Sequence, residues 1–132
     1  MSPVVLDTDV ASAVLKERVP PELTRQLAGR PLGITFVTVG ELTQWTFVRH
    51  WGPERRAGLD RFFAGVVVLP YSARVATIWG EIQAHAQLRG RPRPVNDSWI
   101  AACCLARGLP LATLNIKDYV DYAEHEGLVL VR

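Results

Sequence analysis

Five acids stand just after short apolar runs or at the openings of helical patterns. They are Asp7 and Asp9 in Val4-Val5-Leu6-Asp7-Thr8-Asp9, Glu41 in Thr38-Val39-Gly40-Glu41-Leu42, Asp97 after Pro94-Val95-Asn96, and Asp118 three residues beyond Asn115. Each has an ordinary structural use. Asp7 or Asp9 could cap the next helix, Asp9 being better placed because it directly precedes Val10. Glu41 has capping-box spacing from Thr38, and Asp97, Asn115 and Asp118 suit caps or first turns. Asp7 fits such a use least well, because an acid closing a buried apolar strand loses its hydration unless a cation or several donors meet it. Carboxylates gathered in one place repel each other, so their assembly at neutral pH calls for a divalent cation. Oxygen ligands without His or Cys favour Mg²⁺ or Mn²⁺.

The elements that would gather these acids alternate along the chain. A first strand, apolar through Leu6, presents Asp7 at its C-terminal edge, where open α/β sheets keep their ligand sites. Helical spacing follows from Val10 to Arg18, stopped by Pro20-Pro21, and a second helix runs from near Pro21 to Gly29 with Leu23 and Leu27 inward. Residues 33–37 read as a strand. Thr38 to Leu42 opens a helix that runs to about His50, and Pro53 starts another. Four apolar residues, Val66 to Leu69, then Pro70, predict a strand covered on both faces. Ser72 caps a long helix to about Arg89, residues 90–94 form a loop, and Asp97 to Arg107 is an apolar helix closed by Gly108. A fourth strand at 111–114, a short helix from near Lys117 and a fifth strand at 128–131 complete the chain. The alternation predicts an α/β fold with a central parallel sheet of about five strands flanked by helices, the strand order left open.

Composition narrows the class. The 132 residues predict one domain, residues 1–132, and the apolar runs are too short for a bilayer span. No basic segment precedes an apolar stretch at the start, so a soluble cytoplasmic protein is expected. Cys103 and Cys104 are adjacent in a helical pattern and read as reduced core side chains, since neighbours on a helix point apart. His50, His85 and His125 are scattered, without ligand spacing. A net charge of +2 proves no nucleic-acid partner, although 15 Lys and Arg allow local basic patches.

Four stretches, in this order and at this separation, resemble the PIN-domain ribonucleases, in particular the VapC-type toxins of bacterial toxin–antitoxin pairs. They are Val5-Leu6-Asp7-Thr8-Asp9, Thr38-Val39-Gly40-Glu41-Leu42, Asn96-Asp97-Ser98-Trp99-Ile100-Ala101-Ala102 and Ala112-Thr113-Leu114-Asn115-Ile116-Lys117-Asp118-Tyr119. The resemblance covers essentially the whole chain and implies a PIN-like three-layer fold with Asp7, Glu41 and Asp97 as the family acids. A fourth acid follows the last inner strand, its place filled by Asn115 or by Asp118. Thr8 and Thr113 are implied as polar pocket residues, together with a homodimer and a neutralising VapB-like antitoxin. Position 9 departs from the family, where Asn or Ser is common, and Asp9 adds negative charge.

The implied chemistry is hydrolysis of RNA phosphodiester bonds by water activated on one or two Mg²⁺, leaving 5′-phosphate and 3′-hydroxyl ends. Asp7 and Asp97 are expected as principal metal ligands, with Glu41 and Asp118 as further ligands or as groups that position the water. Arg89, Arg91 and Arg93 are candidates for RNA phosphate contacts. The four tryptophans read as core or dimer-interface aromatics. Two rivals stand beside this reading. Asp7-Thr8-Asp9 also resembles the opening of haloacid-dehalogenase-like phosphatases, but no Asp-Asp pair follows and Lys16 and Lys117 are the only lysines. The other rival is a catalytically inactive PIN-like module for dimerisation or partner binding, its acids serving as caps.

Overall fold

The computed structural model describes residues 2–132. Its centre is β1, Val4–Leu6, all three side chains fully buried. Val4 and Leu6 point to one face and Val5 to the other, as strand alternation requires, so one short strand seeds two cores. On one face Val4 and Leu6 pack with Val10, Leu23, Ile34, Leu42 and Leu59. On the other Val5 joins Ile82, Ile100, Leu111, Tyr119 and Tyr122.

The chain alternates strands and helices: α1 Thr8–Leu15, α2 Pro21–Leu27, β2 Leu32–Thr35, α3 Phe36–Val48, α4 Pro53–Gly65, β3 Val67–Leu69, α5 Ala73–Leu88, α6 Val95–Arg107, β4 Leu111–Ala112, α7 Ile116–Glu126 and β5 Leu130–Val131. The five strands are parallel in the order β3-β2-β1-β4-β5. The chain therefore builds outward from β1 through β2 to β3, returns through α5 and α6, and lays β4 on the other side of β1. The C-terminal ends of β1 and β4 flank the point where strand order reverses, the crevice that serves as a ligand site in open α/β sheets.

The predicted α/β sheet of about five parallel strands is present, with local boundaries moved. The helix expected to open at Thr38 starts at Phe36, because Thr35 ends β2 in extended backbone and its side chain accepts the Thr38 N–H at 3.4 Å. Strand β3 is not covered on both faces: it lies at the sheet edge, with Val67 46% and Val68 42% exposed. A four-residue apolar run cannot tell a central strand from an edge strand. Gly108 closes α6 as expected, in left-handed backbone with φ 63° that a side chain would strain. Cys103 and Cys104 are both free and buried, and burial pushes the Cys103 thiol up to about 11.

Candidate active site

Asp7 stands at the junction of β1 and α1 and is only 3% exposed. It, not Asp9, caps α1: its Oδ1 accepts the Val10 N–H at 2.8 Å, while Asp9 falls inside the first turn. A cap uses one oxygen. The other, Oδ2, accepts the hydroxyl proton of Thr113 at 2.6 Å from the end of β4, and that hydroxyl in turn accepts the Asn115 N–H at 3.0 Å. Burial pushes the Asp7 carboxyl up to about 6, with the Thr113 and Val10 hydrogen bonds opposing and Asp9 and Asp97 adding repulsion.

Glu41 does not close a capping box on Thr38, because Thr38 lies inside α3 rather than at its cap. Its Oε1 accepts the Thr8 hydroxyl at 2.7 Å, and the Thr8 oxygen lies 2.9 Å from the Thr38 hydroxyl. With the single Thr8 proton given to Glu41, Thr38 is the donor in the second bond. A relay Thr38 to Thr8 to Glu41 thus ties α3 to α1 beside Asp7. Asp97 sits in the first turn of α6, and the cap residue Pro94 offers no side-chain bond. The Tyr119 hydroxyl donates to Asp97 Oδ1 at 3.3 Å. Burial raises the Asp97 pKa, Asp118 and Glu41 add to the rise, and the Tyr119 bond and Arg93 oppose it.

Asn115 holds the cap position of α7 without capping it, and its amide donates instead to Asp9 Oδ2 at 2.6 Å. Asp118 lies in the first turn of the same helix. Seven of the sequence-predicted site residues line one cavity of about 90 Å³: Asp7, Thr8, Asp9, Glu41, Asp97, Asn115 and Asp118, with Trp45, Ile100 and Tyr119. Thr113 is fully buried beneath it, bonded to Asp7.

Trp45 and Tyr119 were not legible as pocket residues from composition or motif. Helix spacing is the available signal for the first, which lies one turn after Glu41 and lines the pocket rather than only the core or an interface. Tyr119 follows Asp118 directly, yet faces Asp97. No other backbone approaches Gly40, where a side chain would meet nothing within 4 Å.

The donors fit a hard divalent cation. They are carboxylate, amide and hydroxyl oxygens, without His or Cys. Among the described residues no three of His, Cys, Asp or Glu are grouped to hold a metal ion by themselves, and Mg²⁺ is commonly held by one or two carboxylates with water or phosphate oxygens as its other ligands. The rises at Asp7 and Asp97 measure repulsion and desolvation that such a charge relieves.

The three loop arginines part company. Arg89 Nη2 donates to the buried Asp121 at 2.5 Å and Nη1 to Glu126 at 3.4 Å, which ties α5 to α7. Arg93 Nη1 donates to the Lys117 carbonyl at 3.2 Å and lies close enough to Asp97 to lower its pKa. Arg91 is exposed on the loop between α5 and α6.

The PIN domain model matches residues 4–124. The chain belongs to the PIN-domain family. The phosphatase alternative ends there, and the resemblance seen in the four stretches is confirmed. Among VapC relatives, the tRNA(fMet)-specific endonuclease VapC of Shigella flexneri is 31% identical over 119 residues, 87% of this chain and 88% of that protein. Ribonuclease VapC5 of Mycobacterium tuberculosis is 32% identical over 133 residues, 96% and 90% of the two chains. The PIN fold recurs in the solved VapBC-5 toxin–antitoxin structure of Mycobacterium tuberculosis, TM-score 0.73 with 27% identity over 100% of this chain and 99% of that one. It also recurs in VapBC2 of Rickettsia felis bound to promoter DNA, TM-score 0.83 with 20% identity over 98% of both chains. No helix among the described residues is long and apolar enough to cross a membrane.

Proposed function

We propose that this PIN protein, acting as one domain over residues 1–132, is the endoribonuclease toxin of a toxin–antitoxin pair and hydrolyses RNA phosphodiester bonds with Mg²⁺ or Mn²⁺. The observation that carries this is the convergence of Asp7, Glu41, Asp97 and Asp118 on one cavity at the β1/β4 crevice. Asp7 and Asp97 would hold the cation, with Glu41 and Asp118 close enough to complete its coordination or to orient water. Bound there, a divalent ion lowers the pKa of a ligated water and neutralises charge growing on the phosphate. Thr113 and Tyr119 fix the two principal carboxylates, and the Thr38–Thr8 relay fixes Glu41. Asp9, tied by Asn115, adds negative field at the rim and raises the demand for a cation. Arg93 is the loop arginine nearest the acids, which supports a phosphate contact there; Arg91 stays a candidate beside it.

The VapBC neighbours support a VapB-like antitoxin as partner, and an inserted Arg or Lys side chain among the carboxylates would displace the cation. Phe47, Val48 and Leu88, exposed at the ends of α3 and α5, support a homodimer. Purified chain free of antitoxin should cut a mixed RNA pool in Mg²⁺, but not in EDTA and not as Asp7→Asn, with 5′-end mapping giving the target sequence. Intact RNA together with absent Mg²⁺ binding would make this a non-catalytic partner-binding module.

A further inference from the structure

A second opening lies at the far end of α1 from the acid pocket. Thr8 lines the pocket, and Leu15, seven residues later and ~10 Å along the helix, lines a groove of about 590 Å³. Lys16, Arg18, Trp51, Arg55 and Gly58 complete its lining, and the Arg61 guanidinium comes within 3.7 Å of where a Gly58 side chain would sit. The lining of the groove therefore holds three cations and no acid, with Arg61 beside Gly58. Glu17 lines a different cavity, and among the described residues Lys16, Arg18, Arg55 and Arg61 have no carboxylate within ion-pair distance. Glu54 and Asp60 share α4 with Arg55 and Arg61 but do not line the groove, Asp60 lining the cavity beside Thr46 and Arg56.

Two further features point to a bound anion. The Arg55 guanidinium carbon lies over the Trp51 ring, 4.2 Å from its centroid, a cation–π contact that holds the cation at the groove. Trp51 is 5% exposed, and its buried indole N–H has no acceptor among the described residues. A buried donor left unpaired is costly, and this one belongs to a ring that lines the groove. A second such contact stands beside the acid pocket: the Arg49 guanidinium carbon lies 4.2 Å from the ring centroid of Trp45, which lines that pocket. Helix α1 thus has carboxylates at its first end and, where α4 adjoins it, cations at its last.

We propose that this groove is an RNA exosite that holds the substrate's phosphates away from the cutting centre. The proposal rests on the nuclease reading above. Five carboxylates at the pocket repel a polyanion, and Arg89, one of the cations expected to offset them, is already paired with Asp121 and Glu126. The unpaired cations at the far end of α1 supply the attraction instead.

The test uses a labelled single-stranded RNA and the full chain carrying Asp7→Asn, which binds without cutting, titrated over a salt series. Adding Lys16→Gln, Arg18→Gln and Arg55→Gln should weaken binding at least ~10-fold and flatten the slope of log affinity against log salt by about 2, at ~0.7 for each lost single-strand phosphate contact. Arg55→Lys should recover only part of the affinity, since it keeps the charge and loses the plane. Unchanged affinity and slope overturn the exosite. So does unchanged RNA binding with loss of a poly-glutamate probe, which would assign the groove to an acidic peptide. If the unsubstituted chain fails to cut RNA while the slope still falls, the nuclease reading fails and the RNA groove stands.

Discussion

The hydroxyl of Thr113 at the end of β4 donates to Oδ2 of Asp7 at the end of β1, 2.6 Å apart in space and 106 residues apart in sequence. This bond stabilises the charged form of a buried carboxylate and aims its oxygen. Thr113→Val removes the donor at nearly constant volume, so the Asp7 pKa rises further. We expect catalytic efficiency at neutral pH to fall ~10–100-fold, the scale for lost support of a metal ligand. The acid limb of the pH–rate profile should move upward, and Thr113→Ser should restore both. Stability should fall by about 1–3 kcal/mol, read from urea midpoints, because Asp7 and the Asn115 N–H both lose their partner.

Asp7 makes the metal-free chain less stable as pH rises. Its folded pKa of about 6 exceeds the ordinary 3.8, so the folded state holds this proton more tightly than the unfolded chain does. Its contribution is fully present below pH 3.8 and is lost as pH rises through 6, a change of about 3 kcal/mol. The raised Asp97 acts in the same direction. Urea midpoints should fall over this window in EDTA, recover on adding Mg²⁺ at pH 7, and vary less with pH in Asp7→Asn. An unchanged curve in Asp7→Asn would remove Asp7 as the cause.

Tyr119 is 2% exposed and is held protonated by burial, so its hydroxyl is a permanent donor to Asp97. Tyr119→Phe keeps the ring in its core and deletes only that bond. Mg²⁺ affinity and RNA cleavage should both drop by about an order of magnitude. The circular-dichroism spectrum should stay the same. Full activity with normal metal affinity would show that Asp97 needs no support from α7.

The Arg89–Asp121 pair should matter to the fold. The Arg89 guanidinium holds the Asp121 carboxyl below the usual carboxylate range, so the stability it contributes is present above pH 3.8 and lost as pH falls through the lower folded value. Arg89→Gln leaves Asp121 buried without its cation. The melting temperature should drop clearly at pH 7, and the gap from the unsubstituted chain should close as pH falls below the ordinary carboxylate range and Asp121 protonates. A constant gap would assign the loss to packing instead.

Much of the architecture is local and therefore legible. Apolar runs, prolines and caps such as Ser72 and Gly108 mark five strands and their helices, because periodicity and backbone chemistry act over a few residues. Boundaries are less so. Thr35 outcompetes Thr38 as the α3 cap because the strand before it ends in extended backbone, a fact set by sheet pairing. Val67 and Val68 are apolar yet exposed, because nothing in their own segment says that no strand lies beyond them.

The sequence by itself determined which side chains carry chemistry: acids at the ends of strands and the openings of helices, with no His or Cys among them and so suited to a hard cation. Only the tertiary structure decided how they are held. Strand order brings Thr113 onto Asp7 and α7 onto Asp97, commits Arg89 to Asp121, and leaves the cations of α1 and α4 unpaired around Trp51. Each of these pairings spans about twenty residues or more, where no spacing rule reaches, and each depends on which elements the sheet makes neighbours.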